Sequence, residues 1–231
     1  INWARLMAQV VYYFAAALQL GGPERKPAFS VPTGNFGDVF AGHVAARMGL
    51  PIERLLVATN VNDILHRALS AGDYSTGTVT PTAAPSMDIQ VSSNFERLLF
   101  DVGGRDGAAM AEQMRAFEKA RAMRLTNAQR EGASALFTSM RADEDDMARA
   151  MRWASEECTE IVDPHTAIGL HAARHAELAG DTPVVTLATA HPAKFPDAVE
   201  RATGNRPALP ARVGDLFARE EAYIEMPGTY E

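Results

Sequence analysis

The sequence predicts an α/β protein: a parallel, twisted sheet flanked by helices, interrupted by a mostly helical insertion. Two observations carry this. Short β-prone segments alternate with helical ones through the first half of the chain and again near its end. Strands joined by helices must run parallel, with both faces of the sheet covered. The second observation is a glycine-bearing turn placed between the first strand and the following helix, where open α/β sheets bind ligands.

The chain opens with a helix over residues 3–20, whose apolar run from Leu6 to Leu20 carries Gln9 and Gln19. That run falls short of the ~20 residues needed to cross a bilayer and reads as a core helix. A strand over residues 28–32 and a helix over about 36–48 follow, then a strand over 54–59 and a helix over 63–70 with Ile64, Leu65 and Leu69 apolar. From Asn94 to about Glu160 the pattern becomes mostly helical. Met110, Met114 and Phe117 recur at helical spacing, and a second amphipathic stretch runs from Met147 to Cys158. These methionines fit core filling better than a functional stripe. The acidic run from Asp143 to Asp146 stands where carboxylates cap a helix start, which argues against a metal site. Asp163 and Pro164 pair an N-cap with a first-turn proline. A strand over 184–187, a small-residue turn over 188–192 and a helix over about 193–202 restore the α/β rhythm, and a proline-containing tail is expected to hug the surface.

In domain terms, residues 1–91 and 161–231 are expected to form one α/β unit, with 92–160 as a helical excursion. At 231 residues, 47% apolar and 22% charged, the chain has material for a substantial core. Its net charge of −7 is spread along the chain, which speaks against nucleic-acid binding. The lone Cys158 excludes an intrachain disulfide framework and fits a reducing, cytoplasmic compartment. No membrane association is expected. The chain begins at Ile1 with neither an initiator methionine nor a secretory signal, and a preceding segment is expected.

The most informative segment is Pro32-Thr33-Gly34-Asn35-Phe36-Gly37-Asp38. Glycines at 34 and 37 allow successive amides to converge, and the next helix adds its positive end: a phosphate cradle. The same letters also fit a plain glycine-rich turn. They match neither a P-loop nor a dinucleotide fingerprint. A second small-residue turn, Thr186 to Pro192, leaves room for a ligand, and Thr189 there could meet a ring nitrogen or cap the next helix.

Six blocks then stand together: Pro32-Thr-Gly-Asn-Phe-Gly-Asp, Ala58-Thr-Asn-Val-Asn-Asp-Ile-Leu, Pro85-Ser-Met-Asp-Ile, Ser92-Ser-Asn-Phe-Glu-Arg, Asp163-Pro-His-Thr-Ala-Ile-Gly and Thr189-Ala-His-Pro-Ala-Lys-Phe. In this order they resemble the threonine synthase signature set of the longer bacterial and fungal type, and the Ile1-Asn-x-x-Arg start is similar to a family segment. The resemblance implies the C-terminal half of a pyridoxal 5'-phosphate lyase of fold type II, tryptophan-synthase-β-like. Its reaction is conversion of O-phosphohomoserine and water to L-threonine and phosphate. It implies that Gly34, Asn35, Phe36, Gly37 and Asp38 surround the cofactor phosphate, and that Thr189 faces the pyridine nitrogen. Asn2 and Arg5, one turn apart, are the candidates for the substrate phosphate.

The sequence departs from the family in one respect. Its three lysines, Lys26, Lys119 and Lys194, do not stand in the Ser/Ala-Phe-Lys-Asp setting of the Schiff-base lysine. That lysine is expected upstream of Ile1, in an N-terminal half that would be this chain's partner, so no catalytic residue is assigned here and the chain alone is expected to be inactive. No metal ligand set is expected, His171 and His175 lacking a third ligand. Asn60, Asn62, Ser92, Ser93, Asn94 and Arg97 are expected mainly to cap helices. Two other readings stand beside this one: a non-catalytic relative that binds a phosphorylated small molecule, and another fold type II lyase such as a serine or threonine dehydratase.

Overall fold

The structure, a computed structural model, describes residues 2–228; Ile1 of the opening segment lies outside them. Four parallel strands form one sheet in the order β3-β2-β1-β4, with β1 at Ala28–Pro32, β2 at Leu55–Thr59, β3 at Phe137–Arg141 and β4 at Val184–Thr186. The register places Phe29 beside Leu55 and Val185, and Leu55 beside Phe137. Every residue of β1 and β2 is buried, as expected of central strands covered on both faces.

One face of the sheet carries the larger core. The helix α1 (Trp3–Gln19) packs on α2 (Gly37–Arg47), and Tyr13, Phe29, Val31, Phe36, Leu55, Val57 and Phe137 join one cluster with residues of α3 (Ile64–Ala71) and α4 (Phe95–Val102). Burial of each large apolar side chain there is worth ~1.5–3 kcal/mol. Phe117 of α5 (Gly107–Ala120) and Ala133 of α6 (Asn127–Ser134) extend the same cluster, and Met110 and Met114 pack against it as filler.

The other face is smaller in side-chain volume. There α8 (Pro164–His175) crosses β1 and β2, backed by α7 (Glu144–Glu157) and α9 (Pro196–Thr203). Close approach is obligatory at Gly169, whose carbonyl accepts from Ser30 Oγ at 2.7 Å. A Cβ on Gly169 would come within 3.0 Å of Pro32 Cγ and Thr186 Cγ2, so a larger residue would lift α8 off the sheet.

Three differences from the sequence reading have plain causes. Residues 137–141, inside the stretch expected to be helical, form the edge strand β3; Thr138, Ser139 and Arg141 make it too polar to read as a buried strand, and it is the pairing with β2 that defines it. The helix expected over about 193–202 divides at Pro196, whose missing N–H starts a new helix and leaves a 3₁₀ turn, Pro192–Lys194, before it. The tail hugs little: Phe217, Ile224 and Met226 are each more than four-fifths exposed. Among the described residues no helix is long and apolar enough to cross a membrane.

Candidate functional site

A cleft of about 760 Å³ opens beyond the carboxyl ends of β1 and β4. Its walls are the turn after β1 (residues 33–36), the start of α2, the 3₁₀ turn Pro85–Met87, the turn after β4 (residues 187–190) and the Arg5 side of α1.

The first wall is built to present amides. Ser92 Oγ donates to the Gly34 carbonyl at 2.6 Å, and Asn94 Nδ2 donates to the Asn35 carbonyl at 2.7 Å. Both peptides are trans, so the N–H groups of Asn35 and Phe36 point the opposite way from those carbonyls. Phe36 adopts the left-handed conformation (φ 57°) as the N-cap of α2, turning the chain so that the first amides of the helix follow. The N–H groups of Asn35, Phe36 and Gly37 have no protein acceptor among the described residues. Amides without a protein acceptor at the positive end of an 11-residue helix suit an anion. Gly34 is required by proximity, since a Cβ there would run into the Ser86 carbonyl.

The five residues of this segment contribute differently. Phe36 offers a backbone amide alone, because its ring is buried between Phe95 and Phe137. Asp38 is largely buried beside the cleft, and its carbonyl accepts from the Tyr13 hydroxyl at 2.8 Å. Burial raises the Asp38 carboxyl to about 6, against the opposing effects of the Tyr13 hydroxyl and the Arg5 charge. Burial likewise pushes the Tyr13 phenol well above its ordinary value.

The opposite wall holds Thr189. Its amide donates to Thr166 Oγ1 at 3.3 Å, and the Thr166 hydroxyl in turn donates to Asp163 Oδ2. Asp163 caps α8 and also faces His165 Nδ1 at 2.8 Å. Burial pushes the Asp163 carboxyl up, but the hydrogen bonds from His165 and Thr166 outweigh it and hold it below the usual carboxylate range. Arg5 lines the cleft, whereas Asn2 places its side-chain oxygen on the Ala4 amide at 2.7 Å as the cap of α1.

The likeness to known proteins follows the same lines. The family model described as "Threonine synthase, C-terminal" matches residues 166–231. The threonine synthase of Pseudomonas aeruginosa is 53% identical over 228 residues, which cover 98% of this chain and 49% of that protein. A crystal structure of pyridoxal-phosphate-bound threonine synthase from Brucella melitensis superposes with a TM-score of 0.93 at 51% identity, over 96% of this chain and 48% of that one. The chain belongs to the threonine synthase family. The yeast threonine synthase structure agrees at a TM-score of 0.89 and 36% identity, covering 96% of this chain and 48% of that one. A fungal L-serine ammonia-lyase from Rhizomucor miehei, at 13% identity and a TM-score of 0.55, shares the fold. The chain spans about half the length of the curated relatives it matches.

Other polar residues of this threonine synthase family chain brace the cleft, where capping was expected. Asn60 and Asn62 donate to Asp88 Oδ1 at 2.7 and 3.0 Å, and Thr82 donates to both Asp88 oxygens, from its amide and its hydroxyl. This knot pins the segment leading into Ser86 and Met87. Asn94 stands at the start of α4 without capping it, and Arg97 donates to its side-chain oxygen. Asp88, Ser86 and Thr166 carry these contacts and were not singled out in the sequence; the signal was their place inside the signature blocks. Of the lysines, Lys194 lines the cleft at its rim, and Lys26 and Lys119 are exposed elsewhere. The His171 and His175 rings lie 4.3 Å apart, tilted against each other, and no group of three metal-holding side chains occurs among the described residues.

Proposed function

We propose that this chain is the C-terminal half of a pyridoxal-phosphate-dependent threonine synthase, a carbon–oxygen lyase that converts O-phosphohomoserine and water to L-threonine and inorganic phosphate in the cytoplasm. The observation that carries the reading is the amide cradle facing the Thr189 turn across one cleft, in a chain that is half identical to a threonine synthase. The amides of residues 35–37 would hold the cofactor phosphate, with Gly34 and the backbone of Asp38 completing the turn around it. When bound, the cofactor supplies the electron sink that allows a proton to leave the amino-acid carbon.

Thr189 would meet the pyridine nitrogen with a neutral hydroxyl, which does not force that nitrogen to stay protonated as a carboxylate would. Arg5, with Asn2 one turn before it, would receive the substrate phosphate; Arg5 has the better support because it lines the cleft. The base that moves substrate protons is the cofactor-binding lysine, which the proposal assigns to a segment preceding residue 1 in the full-length protein. The half-length match to the relatives supports this, as does the exposed apolar flank of α1, Trp3, Met7, Val11 and Leu18, which more chain would cover.

Phosphate release from O-phosphohomoserine by the full-length protein loaded with pyridoxal phosphate tests the activity, with L-serine offered in parallel. Threonine and phosphate in equal amounts are expected. Ammonia release from serine in their place would favour a dehydratase, and turnover of neither would favour a binding protein.

A further inference from the structure

The two walls of the cleft meet at one buried carboxylate. Asp163 has no exposed surface, and each of its oxygens serves a different wall. Oδ1 accepts from the His165 amide at 2.9 Å and from His165 Nδ1 at 2.8 Å; on the far side of that ring, Nε2 accepts from the Ser86 amide at 3.3 Å. Accepting at Nε2 leaves the ring proton on Nδ1, aimed at Asp163, so His165 is held in one tautomer. Ser86 is the residue whose carbonyl stands against Gly34 of the anion cradle. Oδ2 accepts from the Thr166 hydroxyl, which leaves the Thr166 oxygen lone pairs free to accept from the Thr189 amide.

We propose that Asp163 is a positioning residue that sets the anion cradle and the Thr189 turn at a fixed spacing, one wall through His165 and the other through Thr166. This rests on the reading of the cleft as a pyridoxal phosphate site, in which one ligand must touch both walls. A rigid, phosphate-bearing ring gains from the second wall only if the turn is already in place, because an unplaced turn must be ordered on binding. Inorganic phosphate, which is too small to span the cleft, gains nothing from it.

The test uses this chain with Thr166→Val, Thr166→Ser and His165→Phe. Hydrogen exchange should rise about fivefold or more over residues 187–190 in Thr166→Val, with the Ser86 amide unchanged, and the reverse in His165→Phe. Thr166→Ser keeps the hydroxyl and should restore protection, which separates the hydroxyl's role from general loosening. In equilibrium titrations, Thr166→Val should lower affinity for pyridoxal phosphate by about fivefold while leaving that for inorganic phosphate unchanged.

Unchanged exchange at Thr189 in Thr166→Val, or equal weakening of both ligands, would overturn the positioning role. Failure of the wild-type chain to bind pyridoxal phosphate would count against the proposed function, and the exchange measurements would still decide the wiring of the walls.

Discussion

Replacing Asp38 by asparagine removes a carboxylate that stands at the proposed anion cradle with its affinity for protons raised. The folded protein holds this group at about 6, against 3.8 for a free aspartate, chiefly because burial disfavours the charge. A carboxyl raised on folding stabilises the fold below the unfolded value and loses that contribution as pH rises through the folded one. The difference of about two units corresponds to ~3 kcal/mol, lost between pH 4 and pH 7. The asparagine side chain never ionises, so Asp38→Asn should gain ~3 kcal/mol on wild type across that window, an upper figure because the site is not wholly dry. Urea unfolding of both proteins at pH 4, 5, 6 and 7, with equal denaturant slopes, measures this; other titrating groups cancel in the difference. A stability difference that stays constant with pH would refute the account of Asp38.

Other expected outcomes follow from the same geometry. Asp38→Asn should bind sulfate more tightly than wild type at pH 7.5, by a few-fold in a calorimetric titration, since a negative charge beside the cradle is gone. Gly34→Ala should force the Ser86 carbonyl away, costing ~1–3 kcal/mol in urea unfolding and weakening phosphate binding. Ser92→Ala strips the donor from the Gly34 carbonyl and should cost ~1–2 kcal/mol, with a fall in phosphate affinity that a core substitution of equal cost does not produce. Gly169→Ala should destabilise by ~1–3 kcal/mol in urea unfolding through contact with Pro32 and Thr186.

The elements that local patterning controls were legible in the sequence. The strand at residues 28–32 and the capped helices after Asp143 and Asp163 stand as read, because burial on both faces and side-chain caps leave local marks. What depended on long-range partners was not. β3 has a mixed polar sequence and is a strand because β2 pairs with it. Asn60, Asn62 and Asn94 look like cap residues, yet their side chains reach Asp88, Thr80, Thr82 and Asn35, contacts separated by 18 to 59 positions. The glycine-bearing turn after β1 could be located from Gly34 and Gly37, but the direction of its amides follows from Ser92 and Asn94 holding the carbonyls behind it. For Asn2 the fold shows a cap on α1; Arg5 is the member of that pair that reaches the cleft.

The claim that this chain holds the cofactor's phosphate and ring while the covalent anchor lies elsewhere has one direct test. This chain and the full-length protein would each be saturated with pyridoxal phosphate, reduced with borohydride and weighed intact. The account predicts a single stoichiometric adduct on the full-length protein, mapped to a lysine outside residues 1–231, and none on this chain, which still binds the cofactor reversibly. A stoichiometric adduct on Lys194 would contradict it.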